Sequence, residues 1–315
     1  MNILHRLLNK IDWKLNVSRS GKELQNNKLK VMTFEESLDY LIESKCSLSR
    51  FGDGEFTLML NGEFLCPRNI SLKHQDADPE LKKRLVEILK DKNTDQYNLK
   101  IAVPRTLVSL DKGNLTDSSI GFWQNYLHEL FYKISSLLRK DYTYLNSQIS
   151  RFYLDDRNKD KEVIEKRIAH WKRLWEDQDI LIIEGKGSNL GKSQGFYSNA
   201  KSVERIECPN NNTFKHTNEI LSAAKEYGTH KLIILALGPT SAVLAYDLAK
   251  TGFRTLDLGF LELEYHFFLT QASEESQIAG IKISTVESIQ NDPFPANQED
   301  FIEKDVVFRI TGNQK

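Results

Sequence analysis

The sequence predicts an α/β fold, a Rossmann-like, mostly parallel sheet with helices on both faces. Three observations predict it. The runs ILIIE and LIILAL are continuously apolar, as strands are when both faces of a sheet are covered. Amphipathic stretches alternate with these runs. Glycine-bearing turns follow the strand-like segments, where open α/β sheets place their ligands.

Each element follows from local pattern. Thr33 and Glu36 form a capping box, so a helix runs from Phe34 to Ser44. CSLSRF reads as a strand, and GDGEFTLMLNG as a turn entering a short helix. Asp78 and Pro79 supply an N-cap and a proline at the first helical position. The helix they start carries Leu81, Leu85, Ile88 and Leu89 inward. YNLKIAVP is a strand, and a long helix over 119–139 places Phe122, Trp123, Tyr126 and Phe131 in the core. A helix over 161–176 leads into the strand DILIIEG, then a Gly/Ser loop with a short helix, then the strand VERIECP. A helix over 214–227 leads into KLIILALGP, then the helix SAVLAYDLAKTG, then the strand RTLDLG. The run DDRNKDKEVIEKR reads as a solvated loop and helix face.

No repeat or Pro/Gly-rich linker divides the chain, so one domain is expected over 33–271, with an N-terminal extension, 1–32, and a polar C-terminal appendage, 272–315. DPFPANQED in that appendage reads as loop. The extension looks amphipathic, with Ile3, Leu4, Leu7, Leu8, Ile11 and Leu15 at helical spacing. Seven Lys/Arg against two Asp/Glu give residues 1–30 a net charge of +5. Such a helix either rests on an anionic membrane surface or docks on the domain with its basic face in water. It lacks the form of a signal peptide.

The 315 residues, 40% hydrophobic, suffice for a sizeable core. A net charge of −1 gives no field that would favour nucleic acid. Three scattered cysteines read as reduced thiols of a cytoplasmic protein. No apolar run approaches the roughly 20 residues of a membrane span. No H-x-x-x-H, H-x-H or G-x-S-x-G pattern supports a zinc enzyme or an α/β-hydrolase.

The chemistry lies in three loops and one terminal segment. In SRFGDGEF, Asp53 and Glu55 are set two apart. In an extended or turn segment such residues share a side. Gly52 and Gly54 free the backbone to turn. Two carboxylates aimed at one point require a cation between them, and Mg2+ or Mn2+ prefers such oxygens, completing its shell with water and phosphate. The ordinary alternative is that Asp53 caps a helix beginning at Gly54, with Glu55 in its first turn. The loop EGKGSNLG offers Gly185, Gly187, Ser188 and Gly191 to phosphates, or is a plain βα turn. The loop LGPTSA sets Gly238, Pro239 and Thr240 at a helix start, where capping by Thr240 or Ser241 is the simpler account. Asp257, Glu262 and Glu264 follow the last strand. One of them could serve as a general base, but taken locally they read as solvated surface acids.

Together SLSRFGDGEF, KIAVP, ISRFYLD, DILIIEGKGSNLG, NAKSVERIECP and the stretch from ALGPTSAVLAYDLAKTGFRTLDLG to LEYHF resemble, in order, the GT-D-type glycosyltransferases, formerly a domain of unknown function. The resemblance spans 33–269. It implies a Rossmann-like domain, a divalent metal (Mn2+ or Mg2+) and transfer of a hexose, typically glucose from UDP-glucose, to a glycan on a protein or surface polysaccharide. It places the metal on Asp53 and Glu55, and Arg50 beside them. The phosphate side falls on Gly185–Gly191 and Gly238–Thr240, and the acceptor side on Glu264 and Tyr265. Phe260, Glu262 and Asn189 depart from the family's usual residues. The expectation is therefore a metal-dependent glycosyltransferase of the cytoplasm, peripheral at the inner face of the membrane if the basic helix touches lipid. Its partners would be a UDP-sugar, a glycan or glycoprotein acceptor and other glycosyltransferases. If the reaction inverts, Glu264, or else Glu262 or Asp257, would accept the proton of the acceptor hydroxyl, and if it retains no separate base is required; Asp257 is also expected near the donor. A dinucleotide oxidoreductase using Gly185–Gly191, with Glu207 on the ribose, and a non-catalytic nucleotide-sugar-binding module are the alternatives.

Overall fold

A computed structural model describes residues 28–60, 75–186, 195–259, 261–272 and 305–311. The expected N-terminal basic helix, Gly187, Ser188, Asn189, Gly191 and the DPFPANQED loop lie outside the described residues. So does Phe260.

Among the described residues nine strands form one sheet: β1 (Lys30–Val31), β2 (Ser47–Arg50), β3 (Leu99–Val103), β4 (Thr143–Asn146), β5 (Asp179–Gly185), β6 (Ser202–Cys208), β7 (Leu232–Ala236), β8 (Thr255–Asp257) and β9 (Val306–Arg309). Their order is β1-β4-β3-β2-β8-β7-β5-β6-β9. Every pairing is parallel. The helices are α1 (Phe34–Ser44), α2 (Asp53–Met59), α3 (Pro79–Lys90), α4 (Asp117–Leu137), α5 (Lys161–Lys172), α6 (Thr217–Tyr227), α7 (Pro239–Lys250) and α8 (Leu261–Leu269).

Local chemistry sets the boundaries. The Thr33–Glu36 capping box forms in both directions, and α1 ends on Lys45 in the left-handed region at φ 53°. Asp78 caps α3 through the N–H groups of Glu80 and Leu81. Leu81, Leu85, Ile88 and Leu89 of α3 are wholly buried, each contributing about 1.5–3 kcal/mol of hydrophobic stabilisation.

Alternation along the strands sorts the helices onto two faces. Ile101 and Val103 pack with α2, α3 and α4 on one face, where Leu181, Ile183 and Leu235 pack with α6 and α7. Ala102, Ile180, Ile182 and Ile234 pack with α1, α5 and α8 on the other. The loops after the neighbouring strands β2 and β8 therefore leave for opposite faces, α2 for one and α8 for the other. A crevice opens where such loops diverge, at the carboxyl ends of the strands.

The edges differ from expectation. β1 comes from the N-terminal extension, and Met32 continues it by donating to the Tyr144 carbonyl (2.9 Å). β9 comes from the C-terminal segment read as an appendage, pairs with β6 and buries Ile310. Among the described residues no helix is long and apolar enough to cross a membrane.

Candidate active site

The site starts from the end of β2. Phe51, fully buried, donates its N–H to the Ala102 carbonyl (2.9 Å), fixing the strand where the turn begins. Gly52 is the N-cap of α2 in an extended conformation. Its N–H donates to Glu55 Oε2 (2.6 Å), and a Cβ there would lie 3.3 Å from that oxygen, so the turn is tight. Asp53 is thus the first helical residue, not the cap. Glu55 stands in the first turn, as the ordinary alternative held. The extended geometry in which positions 53 and 55 share a side is corrected. In a helix two residues lie about 200° apart, and Glu55 curls back to the N-cap while Asp53 does not.

The Asp53 carbonyl is held twice, by the hydroxyls of Thr57 (2.6 Å) and Tyr126 (2.8 Å). Burial raises both carboxyls. Arg151 and then Arg50 pull Asp53 back down. For Glu55 the opposing influences are Arg50 and the Gly52 N–H, while Asp53 raises it further.

The other acids are buried, which corrects the reading of Asp257, Glu262 and Glu264 as solvated surface groups. They are 1%, 3% and 1% exposed, because β8 is interior to the sheet and α8 folds its first turn inward. Asp257 Oδ2 accepts the Arg50 backbone N–H (3.3 Å), and its Oδ1 lies 3.8 Å from Arg50 Nε. Burial pushes Asp257 up to about 7 against the pull of Arg50, with Glu55 adding to the rise. Glu264 Oε2 accepts the N–H groups of Tyr153 (2.7 Å) and Leu154 (2.8 Å), and its Oε1 lies 3.9 Å from Arg151 Nε. Burial takes it to about 7 also, chiefly against Arg151. Gly259, at φ +53°, passes so close to Arg50 that a Cβ would sit 2.3 Å from Nη2.

The remaining loops line the same end of the sheet. Gly238 takes φ +56° as the N-cap of α7, so neither Thr240 nor Ser241 is the cap. Ser241 instead accepts the Leu237 N–H (2.8 Å), and Thr240 donates to Gln75 (3.5 Å). Pro239 and Thr240 are buried, with Gly238 exposed above them. Gly185 ends β5 where a Cβ would meet Asn210 Oδ1 at 2.7 Å, which gives that glycine a packing reason. Close by, Arg205 Nη1 donates to Glu184 Oε1 (2.6 Å), both buried, and Glu262 and Tyr197 share their field.

The structure thus gathers Arg50, Gly52, Asp53, Glu55, Asp257 and Glu264 around β2 and β8, with Gly238–Thr240 after β7 and Gly185 at the end of β5. Sequence reasoning missed Arg151, Asp155, Tyr126, Glu184 and Arg205. Apart from the Arg151–Asp155 pair, four residues apart, their partners lie 21 or more residues away along the chain, where local spacing carries no signal.

This fold is an open parallel α/β sheet with a crevice at the carboxyl ends of its strands, and comparison with known proteins gives it a family. The family model described as the glycosyltransferase GT-D fold matches residues 48–285, and the chain belongs to that family. It is 32% identical over 257 residues to the probable glycosyl transferase Gly of Streptococcus gordonii, covering 82% of this chain and 36% of that protein. It is 33% identical over 241 residues to the glycosyltransferase GlyD of Streptococcus pneumoniae serotype 4 (strain ATCC BAA-334 / TIGR4), covering 76% and 28%. The chain therefore spans about a third of the length of these curated relatives. Among solved structures it resembles a new glycosyltransferase (DUF1792) from Streptococcus sanguinis, with TM-score 0.76 and 31% identity over 90% of this chain and 100% of that one. A second, described as the highly conserved domain of unknown function 1792 with a distinct glycosyltransferase fold, gives TM-score 0.75 and 28% identity over 94% and 100%. The chain has the glycosyltransferase GT-D fold by family.

Proposed function

We propose that this chain transfers a hexose, glucose from UDP-glucose, to a glycan carried by a glycoprotein or a surface polysaccharide, with Mn2+ or Mg2+ held by Asp53 and Glu55. The observation that carries the reading is the charge balance of the crevice. Asp53, Glu55, Asp155, Asp257 and Glu264 lie there with Arg50 and Arg151, and burial disfavours the anionic form of Asp53, Glu55, Asp257 and Glu264. Five acids against two arginines leave a deficit of positive charge that a divalent cation would fill.

The donor set suits a hard cation. Among the described residues no cluster of three or more His, Cys, Asp or Glu is arranged to hold a metal. Two carboxylates are enough for Mg2+ or Mn2+ when phosphate and water complete the shell. When bound, such an ion neutralises charge that grows on the departing nucleoside diphosphate.

The residues of the chain do the rest. Arg50 fixes a positive charge between Glu55 and Asp257. Gly52 and Gly259 keep the backbone close enough for that arrangement, and Tyr126 and Thr57 hold the Asp53 turn in place. The test is a screen of nucleotide sugars for release of UDP, GDP or dTDP, with and without EDTA. Release from UDP-glucose that EDTA abolishes is the expected result. Asp53→Asn should remove turnover and leave the far-UV circular dichroism spectrum unchanged. EDTA-insensitive transfer would contradict the metal role.

A further inference from the structure

Arg151 enters the crevice from the flank opposite to Glu264. It follows β4, two strands away from β2, whereas Glu264 follows β8, the neighbour of β2 on the other side. Their approach (3.9 Å) therefore spans the β2–α2 turn that carries Asp53 and Glu55. Arg151 is braced on both sides. Its Nε donates to Asp155 Oδ2 (3.1 Å), and the other Asp155 oxygen accepts from Ser119 of α4 (2.8 Å). Seven residues along the same helix, Tyr126 donates to the Asp53 carbonyl (2.8 Å). Two turns of one helix face thus fix both the Arg151 brace and the Asp53 turn in a common frame. Glu264 completes the brace. Its Oε2 takes two backbone N–H groups of the Arg151 segment, at Tyr153 and Leu154, while its Oε1 faces the guanidinium. The Arg151 side chain nevertheless keeps 34% of its surface exposed, while Glu264 keeps 1%. A guanidinium is a planar donor fork whose geometry suits phosphate oxygens.

We propose that Arg151 binds the diphosphate of the sugar-nucleotide donor opposite the metal carboxylates, and that Glu264 is the positioning residue that holds it there. This rests on the nucleotide-sugar reading above. Breaking the bond between the anomeric carbon and the β-phosphate oxygen leaves the electron pair on that oxygen. The diphosphate then gains one negative charge, which a fixed guanidinium stabilises. Glu264 thereby has a different task from accepting the acceptor proton.

The test uses the full chain as wild type, Arg151→Gln, Arg151→Lys and Glu264→Gln, with UDP and Mn2+ as probes. Arg151→Gln should bind UDP in the presence of Mn2+ at least tenfold more weakly. It should bind Mn2+ alone as well as the wild type or better, because the guanidinium repels a bare cation. Arg151→Lys, which keeps the charge and loses the fork, should recover part of the UDP affinity and guards against misfolding of the glutamine variant. Glu264→Gln can still accept the two N–H bonds. It should raise the donor KM while kcat stays within roughly tenfold, its pH profile keeping the wild-type shape. Unchanged UDP affinity in Arg151→Gln would overturn the proposal, as would equal weakening of UDP and bare Mn2+. A thousandfold loss of kcat in Glu264→Gln at unchanged donor KM would return Glu264 to the role of base. If the wild type binds no nucleoside diphosphate at all, the donor reading itself fails, and Arg151 with it.

Discussion

Gly259 and Arg50 are matched across the crevice. Alanine at 259 would have to hold φ +53° and place a Cβ 2.3 Å from Arg50 Nη2. The left-handed conformation costs about 1–2 kcal/mol for a non-glycine residue. The guanidinium, being the end of a flexible side chain, would move away from Asp257. Gly259→Ala should therefore lower the melting temperature by a few degrees and raise the donor KM. A variant with wild-type KM would show that the place of Arg50 is immaterial. Tyr126→Phe tests the other support. It removes a buried hydrogen bond worth about 0.5–1.5 kcal/mol and leaves the ring packing intact. Half-maximal activity should require more Mn2+, with little change in melting temperature. An unaltered metal requirement would mean that Thr57 alone suffices to hold the turn.

At the scale of elements, the strongest local signals gave true elements. The Thr33–Glu36 box, the Asp78–Pro79 start and the two continuous apolar strands all stand where their chemistry places them. Short edge strands did not announce themselves. β1 has two residues and β9 follows a polar stretch, and each exists because a neighbouring strand offers it a row of backbone partners. Helix ends moved for stated reasons. α7 starts at Pro239 because Gly238 makes the turn, and α6 starts at Thr217 after a 3-10 turn over Thr213–His216. The candidate site was legible where one segment carries it, as at Arg50–Glu55. It was not legible where the sheet order makes the pairing, as with Arg151 and Glu264, or where a buried helix face hides acids that look surface-like in sequence, as with Glu262. The β9 edge supports a prediction of its own. Ile310 is 5% exposed in the core of the α6–α7 face. Ile310→Ala should cost about 2–5 kcal/mol in denaturant unfolding, as for other large-to-small core substitutions. A loss below 0.5 kcal/mol would mean that β9 rests on the sheet without stabilising it.

For the whole molecule, the buried acids couple stability to pH. Asp257 faces Arg50 and Glu55, and Glu264 faces Arg151, Asp155 and the 153–154 backbone. Both carboxyls titrate at about 7 when folded, above their ordinary values of 3.8 and 4.5. Between those limits the folded state holds more protons than the unfolded one, so stability falls as pH rises. The contribution is complete below about pH 4 and lost as pH passes 7. In EDTA the melting temperature should fall between pH 5.5 and 8. Mn2+ with UDP should offset the fall, since a ligand that binds only the folded state stabilises it. A metal-free protein that is equally stable at both pH values would mean that these acids are well solvated.

The most direct test of the central claim is Mn2+ electron paramagnetic resonance in the presence of UDP. Adding wild-type protein should quench the signal of free Mn2+ at a stoichiometry of one, and Asp53→Asn and Glu55→Gln should leave most of that signal unquenched. Quenching by both variants equal to that of the wild type would contradict a cation held between the two carboxylates and the diphosphate.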